Sequence, residues 1–125
     1  MPYIAAATSS SKVLLVAAIA VVTVSAHATG TACPAKQDGK PLTTGYVLDG
    51  PVQDKAILEA DSGGTKAGVD FASWQVGYIY DAGRKVDLDC RYDGVAEPVV
   101  VQIDTPVKAC AYRKSKKQGV KLSCR

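Results

Sequence analysis

Four cysteines constrain the fold of this chain more than any other feature of its sequence. Cys33, Cys90, Cys110 and Cys124 all follow an apolar leader in a chain of 125 residues. An even number of cysteines in a small exported domain predicts two disulfide bonds. Three pairings are possible, and we favour Cys90 with Cys110, which closes a short loop, together with Cys33 with Cys124, which joins the termini. A zinc site of four thiolates is disfavoured because no two cysteines form a C-x-x-C pair.

The amino-terminal segment predicts export, and therefore an oxidising compartment. Lys12 is its only charged residue, and the run from 13 to 24 is apolar except for Thr23. Ala26 and Ala28 then supply the small residues of an A-x-A cleavage site, so the segment has the three parts of a secretory signal. We expect residues 1–28 to be a cleaved signal peptide and residues 29–125 to form one domain, which is periplasmic or secreted.

Two other interpretations of the leader fit less well. A membrane anchor needs about 20 apolar residues to span a bilayer, and this run has 12. A lipoprotein signal would place an aliphatic residue three positions before a cysteine, whereas Gly30 holds that position before Cys33. We therefore expect no membrane span once the signal is cleaved.

Alternation of apolar and polar residues predicts a mainly β domain. Val86, Leu88, Cys90 and Tyr92 alternate with polar residues, which is the pattern of a strand with one buried face. Further strands are predicted at 45–49, 73–80, 98–103, 107–113 and 120–124, with 73–80 and 84–92 forming a hairpin. The expected fold is a small antiparallel sheet, sandwich or barrel stapled by two disulfides, with at most one short helix.

Two segments before the first predicted hairpin are harder to assign. Residues 51–60 begin with Pro51, which suits the first position of a helix, but the same segment could be extended. Residues 61–68 contain Gly63 and Gly64, and we expect them to form a mobile loop.

Missing residue types exclude much common chemistry from the exported domain. His27 is the only histidine and leaves with the signal, so no imidazole remains for general acid–base catalysis or metal binding. No phosphate-binding or dinucleotide-binding motif is present. We predict that the protein is not an enzyme and binds no cofactor or metal, although a hydrolase that uses two carboxylates stays possible.

Charge is distributed unevenly along the chain. All 12 acidic residues precede residue 105, whereas residues 108–125 carry seven basic residues and no acidic one. This asymmetry predicts a basic patch on the last hairpin; its candidate residues are Arg113, Lys114, Lys116, Lys117 and Lys121. Such a patch would contact an anionic partner, namely lipid A phosphates, an anionic polysaccharide or an acidic protein surface. Alternatively, the lysines only keep an edge hairpin soluble. Export makes a nucleic-acid partner unexpected.

Two other groups of residues are candidates for a site. Trp74 lies near Phe71, Tyr78 and Tyr80 in the sequence; we expect this aromatic cluster to anchor the core, with a ligand platform as the alternative.

Asp87 and Asp89 lie on the polar side of their strand, between Lys85 and Arg91. We expect paired surface charges there, with a calcium site that includes Asp93 as the alternative.

The order of several short motifs resembles that of a known protein family. These are Cys33-Pro34, Asp49-Gly50-Pro51, Trp74-Gln75-Val76, Cys90-Arg91-Tyr92 and the two later cysteines. The chain resembles a family of small exported proteobacterial proteins named after an STY locus tag of Salmonella Typhi. It departs from the family at Ala60, where a proline often precedes the aspartate. The resemblance implies a bacterial source and a periplasmic or extracellular location, but it implies no activity and adds no catalytic residues.

These observations favour an exported, non-enzymatic protein of the bacterial envelope that serves as a binding or protective module. One version is an inhibitor of a host hydrolase. The alternatives are a structural subunit of an envelope assembly and a carboxylate-based hydrolase of cell-wall saccharide.

Overall fold

The chain folds mainly into β-strands, as predicted. The computed structural model describes residues 17–19, 27–28 and 30–125. The strands are β1 (His27–Ala28), β2 (Lys36–Gln37), β3 (Lys40–Asp49), β4 (Ser62–Lys66), β5 (Val69–Gln75), β6 (Val86–Tyr92), β7 (Val99–Ile103), β8 (Ala109–Ser115) and β9 (Gly119–Cys124). One turn of 3₁₀-helix covers Val52–Asp54, and the α-helix α1 covers Gly77–Asp81.

The predicted signal, residues 1–28, lies outside the described residues except for 17–19 and 27–28. Its last two residues form β1, which pairs in parallel with Val100 and Val101 of β7. Within the described part of the chain, no helix has both the length and the apolar character needed to cross a membrane.

The strands form two sheets that pack face to face as a sandwich. The first sheet has the order β1-β7-β6-β3-β2 and the second has the order β4-β5-β8-β9. Alternate residues of each sheet point inward, and one core cluster draws on both sheets, with Val47, Leu88 and Val101 from the first and Trp74 and Leu122 from the second. The sandwich gives each sheet an outer face, and the outer face of the second sheet carries the candidate site.

The favoured disulfide pairing is wrong. The bonds join Cys33 to Cys90 and Cys110 to Cys124. Cys110 and Cys124 are direct partners on β8 and β9, so the hairpin itself brings the two sulfurs together. Cys33 lies beside β9, where its amide donates to the carbonyl of Leu122, and its side chain reaches across the core to β6. Spacing along the sequence could not indicate which strands would be neighbours.

The predicted hairpin of 73–80 with 84–92 is also wrong, because its two strands belong to different sheets. β5 ends at Gln75, and α1 then carries the chain across to β6 in the first sheet. Val76 and Ile79 are both fully buried, and their spacing of three residues places them on one side of a helical turn. The strands predicted at 45–49, 84–92, 98–103, 107–113 and 120–124 are confirmed, with shifted ends.

The two segments that were hard to assign are both ordered parts of the fold. Residues 51–60 form the single 3₁₀ turn and then run beside β3, where Ile57 pairs with Leu48. Residues 62–66 form β4, which pairs with β5 in a two-residue hairpin. The mobile loop expected at 61–68 is therefore wrong, because Gly63 and Gly64 lie in an edge strand and residues 67–68 form the turn of its hairpin.

Three aromatic side chains donate hydrogen bonds to backbone carbonyls of other segments. Trp74 is buried, as predicted, and its indole N–H donates to the carbonyl of Leu58 at 3.2 Å. The Tyr80 hydroxyl donates to the carbonyl of Ile103 at 2.8 Å, and the Tyr92 hydroxyl donates to that of Pro34 at 2.6 Å. Burial raises the pKa of both tyrosines.

Candidate functional site

A cavity of about 540 Å³ lies between the turns of the two hairpins of the second sheet. The β4–β5 turn contributes Ala67 and Gly68, and the β8–β9 turn contributes Lys116, Lys117 and Gln118. Because both turns lie at the same end of one sheet, they frame the cavity from two sides.

Local sequence shapes each of these turns. Ala67 and Gly68 both have positive φ, at 52° and 75°, which is the backbone geometry of a two-residue turn in a β-hairpin. In the other turn, the Ser115 hydroxyl accepts a hydrogen bond from the Gln118 amide at 3.0 Å. Gly119 then adopts a φ of 69°, which a glycine accommodates without strain. The two turns that wall the cavity are thus held by their backbone conformations and by the hydrogen bond of the Ser115 hydroxyl.

Four basic side chains line the cavity, and the described lining residues include no acidic one. They are Arg113, Lys116, Lys117 and Lys121, which are four of the five residues of the predicted basic patch. Arg113 and Lys121 are direct partners on β8 and β9. We call these four residues and the cavity that they line the cationic pocket.

Lys114, the fifth predicted residue, does not belong to the cationic pocket. It follows Arg113 on β8, and successive side chains of a strand point to opposite faces. Its partners are Asp70 on β5 and Val120 on β9. Because Val120 is a buried core residue, Lys114 lies on the inner face of the sheet, opposite to the face that carries Arg113 and Lys121. The predicted patch therefore divides into a set of four and one separate lysine.

Within residues 30–125, no ion pair neutralises the cations of the pocket. The three ion pairs among residues 30–125 are Arg84–Asp49, Lys85–Asp104 and Arg91–Asp89, and all of them belong to the first sheet and its connections. Arg113 and Lys121 lie directly opposite each other on neighbouring strands, an arrangement in which like charges repel and lower the stability of a hairpin. An anion between the two side chains would remove that repulsion.

Asp87 and Asp89 were predicted to be paired charges on the surface, but both side chains are buried. They are only 4% and 7% exposed, on the outer side of the first sheet. Asp87 accepts a hydrogen bond from the Val52 amide at 2.9 Å, because the 3₁₀ turn folds over this face. Arg91 donates two hydrogen bonds to Asp89, at 2.7 and 3.0 Å, and this carboxylate raises the pKa of Arg91. Both carboxylates therefore hold parts of the fold together.

Lys85, which also flanks these aspartates in the sequence, forms its ion pair with Asp104 instead. In the part of the chain that the structure describes, no group of three or more potential ligands is arranged to hold a metal ion.

Two members of the predicted aromatic cluster lie outside the core: Tyr78, which is 52% exposed on α1, and Phe71. Phe71 was grouped with Trp74 in the core, but it is 40% exposed on the outer face of the second sheet, directly opposite Arg113. Residues 71 and 74 are three apart in one strand, and strand alternation sends such side chains to opposite faces. The alternation rule was thus the signal that could have found it.

Comparisons with models of protein families, with curated proteins and with solved structures find no match to this chain.

Proposed function

We propose that this chain is an exported, non-enzymatic binding module of the bacterial envelope, which holds an anionic ligand in the cationic pocket. The observation that carries the proposal is a cavity of about 540 Å³ whose described lining residues include four basic side chains and no acidic one. The two disulfides fit an oxidising compartment outside the cytoplasm. A rigid sheet holds Arg113 and Lys121, so their positions need not be ordered when a ligand binds.

The chemistry of the pocket favours a ligand with several negative charges. Arginine presents a planar fork of N–H donors that matches phosphate or carboxylate oxygens, whereas lysine supplies a point charge. Arg113 stands beside Lys121, while Lys116 and Lys117 approach from the turn. One univalent anion would satisfy only part of this set, so we expect a polyvalent group.

The proposal predicts that charge at the pocket, rather than charge in general, sets the affinity for a compact polyanion. Inorganic tripolyphosphate is titrated into the wild type, into Arg113→Gln/Lys121→Gln and into Lys36→Gln/Lys114→Gln, with calorimetric detection. The two variants lose the same net charge. The pocket variant should bind about tenfold more weakly or worse, because hydrogen bonds to charged groups are the stronger kind. The control variant should stay close to the wild type, and the affinity of the wild type should fall with added salt.

Unfolding cannot explain a loss of binding in the pocket variant, since removing a like-charge pair should leave the hairpin as stable or more stable. Thermal melts of the three proteins check this point. Equal affinities of the two variants, or no binding by the wild type, would contradict the proposed function.

A further inference from the structure

We infer that the ligand of the cationic pocket is a linear acidic polysaccharide, whose chain continues from the pocket across the outer face of the second sheet. This inference rests on the proposed function, which specifies only an anionic ligand, and adds the chemical class of that ligand. Residues beside the pocket on the same face of the sheet support it.

The outer positions of the second sheet carry neutral or basic residues along all four strands. One row across the strands consists of Gly64, Phe71, Arg113 and Lys121. Within the described strands, the carboxylate of Asp70 lies at an inward position, opposite Lys114. Asp61 precedes β4 and accepts a hydrogen bond from the Gln75 amide. The face as a whole is therefore suited to a negatively charged chain.

The ring of Phe71 lies along this face instead of standing out from it. Its Cζ atom is 3.6 Å from the position that a Cβ atom on Gly64 would occupy, so the ring extends over the neighbouring strand where no side chain is present. A ring in this position offers a flat apolar surface on which a sugar ring can stack, since sugar rings have apolar C–H faces.

A second row, next to that of Phe71, supplies small side chains and hydroxyl groups. It consists of Ser62, Ser73, Ala111 and Ser123. The Ser62 and Ser73 hydroxyls lie 2.8 Å apart, and each hydroxyl can also donate to or accept from a ligand. The row forms a shallow floor between Phe71 and the end of the sheet, and its hydrogen-bonding groups match the hydroxyls of a saccharide.

The extent of the face argues for a chain and against a single ion. Neighbouring strands lie about 4.8 Å apart, so four strands span roughly 15 Å between β4 and β9. Phe71 is two strands away from Lys121. A ligand that touches the aromatic ring and both basic side chains must be longer than a phosphate group.

A membrane surface is the other polyanion that a basic face could meet. Membrane-binding faces insert projecting apolar side chains among the lipids, whereas Phe71 lies along the sheet between Gly64 and the cationic Arg113. The observations therefore favour a polysaccharide, and vesicles become one arm of the test.

The test compares oligogalacturonates from dimer to octamer with malto-oligosaccharides of the same lengths, using calorimetry on the full exported domain. The affinity of the wild type should rise with the length of the acidic oligomer, and the neutral series should bind far more weakly. Phe71→Ala should weaken binding of the octamer about fivefold, the effect of one aromatic contact, and leave tripolyphosphate binding unchanged.

Tyr46→Ala is the matched control, since Tyr46 is exposed to the same degree, 39% against 40%, but belongs to β3 in the first sheet. It should bind the octamer like the wild type.

The possible outcomes separate the two proposals. If tripolyphosphate binds at the pocket but the octamer binds no better than the dimer, or is indifferent to Phe71, the polysaccharide is excluded and the proposed function stands. If vesicles of phosphatidylglycerol bind more tightly than the octamer, and Phe71→Ala weakens that binding, the ligand is a membrane and the inference is overturned. If no polyanion binds, both proposals fail.

Discussion

Gly45 lies where β3 of the first sheet packs closely against β9 of the second sheet. A Cβ atom at this position would lie 2.6 Å from Cδ2 of Leu122 and 3.3 Å from the carbonyl oxygen of Asp89. Leu122 is 1% exposed, so it has little free space into which to move. The absence of a side chain at residue 45 thus lets β9 pack directly onto β3.

We predict that Gly45→Ala destabilises the protein by about 1–3 kcal/mol, the usual cost of overpacking a core. Urea unfolding at neutral pH measures the change. Gly64→Ala is the control, because a Cβ atom there meets only the Phe71 ring at an ordinary 3.6 Å, and its free energy of unfolding should stay within about 0.5 kcal/mol of the wild type. Equal stability of the two variants would show that β3 and β9 can separate without cost.

The residues of the cationic pocket could be predicted from the sequence only in part. The sequence identified the basic residues of the pocket because seven basic residues and no acidic one follow residue 107. It did not separate Lys114 from Arg113 and Lys121, since that division depends on which residues of β8 and β9 are partners. The cavity itself could not be predicted, because it needs the β4–β5 turn, and residues 61–68 carry too many small residues to show an alternating pattern.

Two kinds of interaction hold β8 to β9: the backbone hydrogen bonds between the strands and the Cys110–Cys124 disulfide. This disulfide closes a loop with a sequence separation of 14, whereas Cys33–Cys90 has a separation of 57. The longer loop restrains the unfolded chain more, and it fastens the amino-terminal segment, which has only a few backbone hydrogen bonds to β9 and β3.

We therefore predict unequal costs for removing the two bonds. In the chain-entropy model, Cys33→Ala/Cys90→Ala should cost roughly 4 kcal/mol and Cys110→Ala/Cys124→Ala roughly 3 kcal/mol. All four sulfurs are buried, so both variants also lose comparable packing. Urea unfolding of the two double variants gives the comparison, and peptide mass mapping without reduction checks the pairing. A cross-link between Cys90 and Cys110 would contradict the structure, and a costlier loss of the hairpin bond would contradict the loop argument.

Elements with a clear two-residue period were predictable, and the connection between the sheets was not. β6 and β7 alternate in sequence and were found at nearly their true positions. Residues 77–80 fall within the predicted strand 73–80, because Trp74, Val76, Tyr78 and Tyr80 also alternate with other residues. The chain leaves the second sheet at Gln75, and burial of Val76 and Ile79 then favours a helical turn. Local pattern cannot show that two neighbouring strands belong to different sheets.

The sandwich as a whole separates its charges between two outer faces. The first sheet and its connections hold the three ion pairs of the described chain, so Asp49, Asp89 and Asp104 are engaged with basic side chains of the same sheet and its connections. The second sheet presents basic residues whose charge is not used in this way. This basic face is the one for which we propose an anionic partner, and the same charge asymmetry is visible along the sequence.

Stability of the whole domain should fall at alkaline pH because of Tyr80 and Tyr92. Burial raises the pKa of both above the ordinary value of 10.0, so the folded protein holds these protons more tightly than the unfolded chain. The stabilisation is fully present below about pH 10 and is lost as the pH rises through the higher pKa of the folded state. Each hydroxyl is also a hydrogen-bond donor to a backbone carbonyl, which an ionised tyrosine cannot be.

The prediction is tested by urea unfolding across this pH range with wild type, Tyr80→Phe and Tyr92→Phe. At neutral pH Tyr92→Phe should be less stable by about 1 kcal/mol, the net value of one hydrogen bond. Tyr80→Phe should be less stable by about 2 kcal/mol, because the Tyr80 hydroxyl also accepts a hydrogen bond from the Val86 amide at 3.3 Å. Above pH 10 the difference should shrink, because phenylalanine has no proton to lose and the wild type alone forfeits the contribution of that hydroxyl. Titration of lysines affects all three proteins alike and cancels in the comparison. A difference that stays constant up to alkaline pH would mean that the buried hydroxyls ionise equally in the folded and unfolded chains.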